Sequence, residues 1–169
     1  QFRHQLYSNR LVGRRLHVYI DGDGSPWLAG RHIAADPTPR NPLALKLLLK
    51  DSHPAVYLGR PCYLQMAAAD SCDATLWTHQ RYSEAVVNSL HQALLALLAK
   101  RDERELLLIG YSGGGVLATL LAARMPEVGA LVTVAANLDI DSWARGHGYL
   151  PLAGSINPAT AGLSLSQPL

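Results

Sequence analysis

The chain predicts an α/β domain: a doubly wound, mostly parallel sheet with helices on both faces. Three observations carry that expectation. Four short apolar runs, each closed by turn residues, have the length and composition of buried strands. Segments of helical period fill the gaps between them, as right-handed crossovers between parallel strands require. A chain of 169 residues, 49% hydrophobic and 17% charged, is large enough to bury one continuous core.

The strand runs are Leu16 to Ile20 before Asp21-Gly22-Asp23-Gly24, Ala55 to Leu58 before Gly59-Arg60-Pro61, Leu106 to Ile109 before Gly110, and Ala130 to Ala135 before Asn137. Phe2 to Ser8 adds an antiparallel edge strand. Pro42 to Lys50 reads as a helix, with Asn41 at the N-cap and Pro42 at the first helical position, where a missing N–H costs nothing. Tyr82 to Lys100 is the longest helix. Ser83 caps it, Glu84 suits its positive end, and Val86, Leu90, Leu94, Leu97 and Leu98 share its apolar face. A third helix runs from about Gly114 to Met125 and stops at Pro126. After about Leu150 the sequence gives way to Pro, Gly, Ser and Ala without another strand–helix pair.

The formal net charge of +2 is too small to indicate nucleic-acid binding, and Arg14-Arg15 and Lys100-Arg101 are short pairs flanking apolar runs. No apolar run approaches the ~20 residues of a membrane span. The chain opens on Gln1-Phe2-Arg3-His4, as a trimmed chain does, so the lack of a signal peptide carries no information about export. Cys62 and Cys72 are expected to form a disulfide, which would favour an exported, periplasm-like setting; two independent thiols in a reducing cytosol are the alternative. No histidine pair stands beside them at zinc-ligand spacing.

The strongest chemical signal is Gly110-Tyr111-Ser112-Gly113-Gly114, a G-x-S-x-G pentapeptide between an apolar strand and an Ala/Leu-rich helix. This is the setting of a nucleophile elbow, in which a serine is held on a strained, very tight turn. The Gly113 N–H would lie free at the helix N-terminus, where developing negative charge is favoured. Acyl transfer needs a second oxyanion donor, and the loop Asp21 to Trp27 follows a buried strand in the right place. Asp23 or Gly24 would supply its N–H, with Trp27 as a wall of the acyl site and Tyr111 as a further lining residue.

With both motifs in place, residues 10 to 140 resemble the α/β-hydrolase family. More narrowly, Tyr19 to Gly24, Gly59-Arg60-Pro61-Cys62 and Ile109 to Gly115 resemble exported, often lipid-anchored and largely uncharacterised hydrolases of Gram-negative bacteria. The resemblance implies a serine hydrolase that cleaves an ester or amide of a small molecule through an acyl-enzyme on Ser112, with no metal and no organic cofactor. It also implies a periplasmic or outer-membrane location through an N-terminal lipid anchor outside this sequence. Many family members place a histidine before the oxyanion-loop glycine, where this chain has Asp21.

The base and acid that such a serine needs follow it in family order, acid before histidine. Downstream of Ser112, Asp139 is the candidate acid, just past a strand, and His147 is the lone candidate base, only eight residues further on. The simpler expectation is a single incomplete domain, truncated after the strand that follows the elbow. The acid and histidine would then lie beyond residue 169 or in a second chain that supplies the last strands. That truncation leaves an apolar sheet edge uncovered.

Two other readings remain open. A non-catalytic binding module could use the same scaffold. Val18 to Ser25 also resembles the first motif of haloacid-dehalogenase-like phosphatases, with Asp21 as nucleophile, Asp23 as acid/base and Mg²⁺ as the cation. That family's later paired acids are not found, and no lysine follows Ser112.

Overall fold

The computed structural model describes residues 2–165. Seven strands form in the order β1 (Leu6–Ser8), β2 (Arg15–Ile20), β3 (Trp27–Leu28), β4 (His32–Ile33), β5 (Ala55–Leu58), β6 (Glu105–Tyr111) and β7 (Val128–Val134). The helices are α1 (Leu43–Leu48), α2 (Glu84–Leu98), α3 (Gly113–Ala122) and α4 (Ile140–Gly146), with a 3-10 turn at Ala74–Trp77. Five strands make one sheet in the order β1-β5-β2-β6-β7, while β3 and β4 form a small separate hairpin. Within the five-stranded sheet only β1 runs antiparallel; β2 pairs in parallel with both β5 and β6, and β6 pairs in parallel with β7.

The pleat sorts side chains by period two, and the helices cover both faces accordingly. Leu16, Val18 and Ile20 of β2 join Leu106 and Leu108 of β6 on the face packed by α2 and α3. Tyr19 points the other way, into a smaller cluster with Ala44 and Leu48 of α1 and with Ala55 and Tyr57 of β5. The α2 face is the main core. Val86, Val87, Leu90, Leu94 and Leu98 are buried at helical spacing, and the Ser83 side chain accepts from the Val86 N–H to cap the helix. Every residue of α3 is buried, so this short helix is held by packing between the sheet and α2, not by an amphipathic pattern. Arg124, just past it, makes a two-toothed ion pair with Glu84 at the start of α2, with nitrogen–oxygen distances of 2.6 and 2.7 Å.

Three local expectations shift. Pro42, not Asn41, occupies the N-cap of α1 and offers no side-chain acceptor, so the helix begins one residue later, at Leu43. Asn41 accepts instead from the Lys46 ammonium. Second, α4 lies in a stretch too short and polar to announce itself by periodicity. It forms because Asp139 caps it and because Ile140 and Ala144 reach the interior. Third, Trp27, the expected wall of the acyl site, belongs to the β3–β4 hairpin and is 44% exposed.

Cys62 and Cys72 form a disulfide. It closes a loop in which Cys62, Leu64 and Gln65 all have positive φ, a conformation that L-residues disfavour and that the surrounding structure must hold. The sheet's two edges differ. β1 is three residues long, whereas β7 is seven residues long and has no strand partner on its outer side among the described residues. Val132 and Val134 of β7 are 44% and 37% exposed, so the uncovered apolar edge is present.

Replacing both Cys62 and Cys72 by Ser is expected to cost about 2–3 kcal/mol, the entropy that a loop of this size no longer removes from the unfolded chain. Urea unfolding of the variant beside the parent, and of the parent with and without a thiol reductant, measures it. Superimposable curves would mean that the bridge carries no stability.

Candidate active site

Ser112 stands between β6 and α3 with φ 50° and ψ −122°, far from the ordinary conformations of a non-glycine residue. A backbone of this kind costs about 1–3 kcal/mol and persists only when its surroundings fix it. Here the Ser112 N–H donates to the Val134 carbonyl at 2.8 Å, and its own carbonyl accepts from the Gly115 N–H at 2.9 Å. The turn closes because two neighbours lack side chains. A Cβ on Gly110 would overlap the backbone of Gly114 and Gly115, and one on Gly114 would overlap the carbonyl oxygens of Ile20 and Asp21. The glycines at both ends of the motif are therefore required by contact. The Ser112 side chain makes no capping bond to α3, which removes the structural role that a serine at a helix start most often plays.

The loop after β2 lies against this turn. A Cβ on Gly22 would sit 3.2 Å from the Ser112 Cβ, and one on Gly113 would meet the Asp23 carboxylate and lie 2.6 Å from the Tyr82 hydroxyl. Among the described residues, the N–H groups of Asp23, Gly24 and Gly113 donate to no other group. Asp21 points inward and is 3% exposed. Burial raises its carboxyl above the usual range, against the amides of Gly22, Ala44 and Leu45 and the charge of Arg60.

What holds the loop is a group of charges that sequence reasoning missed. Arg60 Nη1 donates to Asp23 Oδ1 at 2.5 Å, and Arg81 Nη1 donates to Asp23 Oδ2 at 3.1 Å. The Tyr82 hydroxyl donates to Oδ2 at 2.6 Å, and the Tyr63 hydroxyl donates to the Asp23 carbonyl at 3.1 Å. The Arg60 guanidinium lies over the rings of Tyr63 and Tyr82, 4.7 and 5.7 Å from their centroids. Both arginine side chains are almost wholly buried, at 2% and 8% exposure, and Asp23 is at 16%. Burial alone would raise the Asp23 carboxyl; the two guanidinium charges and the Tyr82 hydrogen bond outweigh it and hold the group below the usual carboxylate range. The same burial pushes the Tyr63 phenol up to about 12. The only local hint was Arg60 beside Pro61 and Cys62 after a buried strand. Arg81 and Tyr82 carried none, because partners 58 and 59 residues away leave no mark on local periodicity.

Asp139 and His147 are not brought together. Asp139 is the N-cap of α4. Its oxygens accept from the Ser142 N–H at 3.0 Å, the Ser142 hydroxyl at 2.7 Å and the Asn157 amide at 3.1 Å. These bonds, the Ser142 amide foremost, lower its carboxyl to about 2. His147 is the C-cap of the same helix, bonded through Nδ1 to the Trp143 carbonyl, with its ring stacked on Tyr149 and tilted against Trp143. Opposite ends of a helix of this length are ~10 Å apart. Among the described residues neither side chain bonds to Ser112 or to the other. They are the two caps of α4.

Asp23→Asn keeps the shape of the side chain and removes its charge. Two buried guanidinium groups then lack a counter-ion, and the variant is expected to lose about 3 kcal/mol at neutral pH. The carboxyl is depressed in the folded chain, so its contribution is full above the unfolded value of about 3.9 and fades as pH falls through the folded one. Urea denaturation at pH 7 and pH 3 checks both points. The gap between parent and variant should narrow at the lower pH, and an equal gap at both would overturn the assignment.

No family model matches the chain, and no curated protein matches it. Solved structures do. The chain is similar to the capsule O-acetyltransferase of Neisseria meningitidis serogroup A, determined as a variant in complex with CoA, at 13% identity and a TM-score of 0.52 over 85% of this chain and 51% of that one. It is similar to a probable hydrolytic enzyme from Pseudomonas aeruginosa PAO1, at 20% identity and a TM-score of 0.51 over 84% of this chain and 38% of that one. It is also similar to the proline iminopeptidase of Mycobacterium smegmatis, at 16% identity and a TM-score of 0.51 over 86% of this chain and 44% of that one. The chain thus spans about half the length, or less, of the structures it matches. At such identities the likeness is one of architecture, and it agrees with the sheet order, the two helical faces and the serine turn: the chain has the α/β-hydrolase fold.

Proposed function

We propose that the protein is a serine hydrolase that cleaves an ester or amide bond through an acyl-enzyme on Ser112. The observation that carries the reading is the strained Ser112 backbone at the β6–α3 turn, with a side chain that caps nothing. Strain kept at a residue without a structural task is a mark of a functional site. In this mechanism the Ser112 oxygen attacks the acyl carbon while a histidine accepts its proton. The negative charge that develops on the acyl oxygen is met by the Gly113 N–H at the α3 N-terminus and by the Asp23 or Gly24 N–H across from it. Collapse of the tetrahedral intermediate breaks the ester or amide bond, and the alcohol or amine departs with the proton that the histidine took. Water, giving a proton to the same histidine, then attacks the acyl carbon, and the proton returns to Ser112 as the acid leaves. The histidine and its acid are supplied beyond residue 169 or by a second chain, since Asp139 and His147 are engaged as caps. The disulfide supports an oxidising compartment of the periplasmic kind. No described helix is long and apolar enough to cross a membrane, and attachment through an N-terminal lipid remains part of the proposal.

The phosphatase reading finds no support in the geometry. Its nucleophile would be Asp21, which is buried behind the loop, and its acid/base would be Asp23, which is already neutralised by two arginines. A binding module on this scaffold would leave the Ser112 strain without a purpose.

A fluorophosphonate probe tests the proposal. It should label the complete gene product, Ser112→Ala should abolish the labelling, and the 169-residue chain alone should label at least about a hundredfold more slowly for want of its base. Equal labelling of chain and complete product would return His147 to the mechanism. No labelling of either would reduce the protein to a binding module.

A further inference from the structure

We propose that His17, Asp51 and His53 form a binding site for a divalent transition-metal ion of the zinc class, separate from Ser112. One ligand atom from each of the three side chains lies within 4.8 Å of the others. His17 Nδ1 is 2.6 Å from Asp51 Oδ2, and His53 Nδ1 is 3.1 Å from Asp51 Oδ1, so a single carboxylate faces two imidazoles. The two rings lie 4.8 Å apart between centroids, inclined by 33°. Zinc bonds of about 2.0–2.2 Å in tetrahedral geometry place ligand atoms about 3.4 Å apart, so closure needs movements of only about 1 Å. His53 can provide them because its side chain is 65% exposed.

The chemistry of the donors selects the ion. Two imidazoles and one carboxylate suit zinc and its transition-metal neighbours, whereas calcium and magnesium prefer sites made of oxygen. Asp51 is held in place for ligation by the groups around it. The Tyr19 hydroxyl donates to Oδ2 at 2.8 Å, and the His53 N–H donates to Oδ1 at 2.8 Å, which orients the carboxylate as an outer shell does. The fourth position faces solvent beside His53 and would hold water.

Placement indicates what the ion does. His17 sits near the start of β2, while the loop that meets Ser112 leaves the other end of that strand. Asp51 and His53 lie in the link between α1 and β5. A bound ion would tie that link to the central strand, as a staple for the half of the sheet that α1 covers. The acyl chemistry takes no part in it.

The test uses the chain freed of metal by a chelator, with zinc followed by calorimetry and cobalt(II) by its visible spectrum. One equivalent of zinc should bind, and cobalt should give tetrahedral absorption bands that zinc displaces. His53→Ala, an exposed change that leaves the fold intact, should weaken zinc at least tenfold, and Asp51→Asn should do the same. His32→Ala should change nothing, and Ser112→Ala should bind zinc as the parent does, which keeps this result independent of the hydrolase proposal. Zinc should raise the melting temperature of the parent but not of His53→Ala. Undiminished binding in His53→Ala, or no binding at micromolar zinc, would overturn the site.

Discussion

The grip on Asp23 is the interaction on which the rest of the site depends. The loop after β2, which lies against the Ser112 turn, has no regular hydrogen bonding of its own, so its position has to come from side chains. Asp23 supplies it by accepting from Arg60 and Arg81 at once, with Tyr82 as the third donor and Tyr63 on its carbonyl. Each arginine is held in turn: Arg60 donates to the Arg81 carbonyl at 3.0 Å, and Arg81 Nε donates to the Thr78 carbonyl at 2.5 Å. A buried group of this kind contributes little net stability over an apolar equivalent, but removing one member leaves charges that nothing else can screen. Its value is the fixed position of the loop.

That dependence reaches further than the loop. Arg60 and Tyr63 flank the Cys62–Cys72 bridge, in a segment whose backbone would not hold its positive φ values unaided. Arg81 and Tyr82 come just before α2, and the Tyr82 carbonyl accepts from the Ile156 N–H, which draws the late loop into the same assembly. Disulfide, pre-helix turn and the loop after β2 therefore form one mechanical chain that ends at Gly113, where Asp23 and Tyr82 occupy the space that a side chain would need.

The parts legible in the sequence were those whose cause is local. β2, β5, β6 and β7 each read as an apolar run closed by turn residues, and Ser83 announced α2 because a cap is a property of four consecutive residues. The serine turn was legible for the same reason: Gly110 and Gly114 are fixed by contacts within and beside the motif. What was not legible depends on distant partners. Nothing near Arg81 says that it will meet Asp23. The α1 start moved by one residue because a proline at the cap and a proline at the first helical position give nearly the same local pattern. Asp139 and His147 show one local pattern serving two readings. Their residue types and order suited a catalytic pair, but an aspartate before a short helix and a histidine after it are also what capping selects, and the structure uses them so.

The elbow's strain also couples the site to the sheet edge. The Ser112 N–H is held by the Val134 carbonyl, which belongs to the last turn of pairing between β6 and β7. Ala135, the residue just past that strand, has a positive φ of its own, 51°, so two non-glycine residues of positive φ follow the ends of adjacent strands. Such a pair stays in place only if β7 does not fray, since hydrogen bonds at a strand end open first. On its inner side β7 is secured by β6 and by α3. On its outer side no described strand pairs with it, and its valines are partly open to solvent. Whatever stiffens β7 therefore stiffens Ser112, and whatever loosens β7 lets the serine relax into an ordinary conformation. The geometry of Ser112 is set as much by the strand beside it as by the glycines within its own turn.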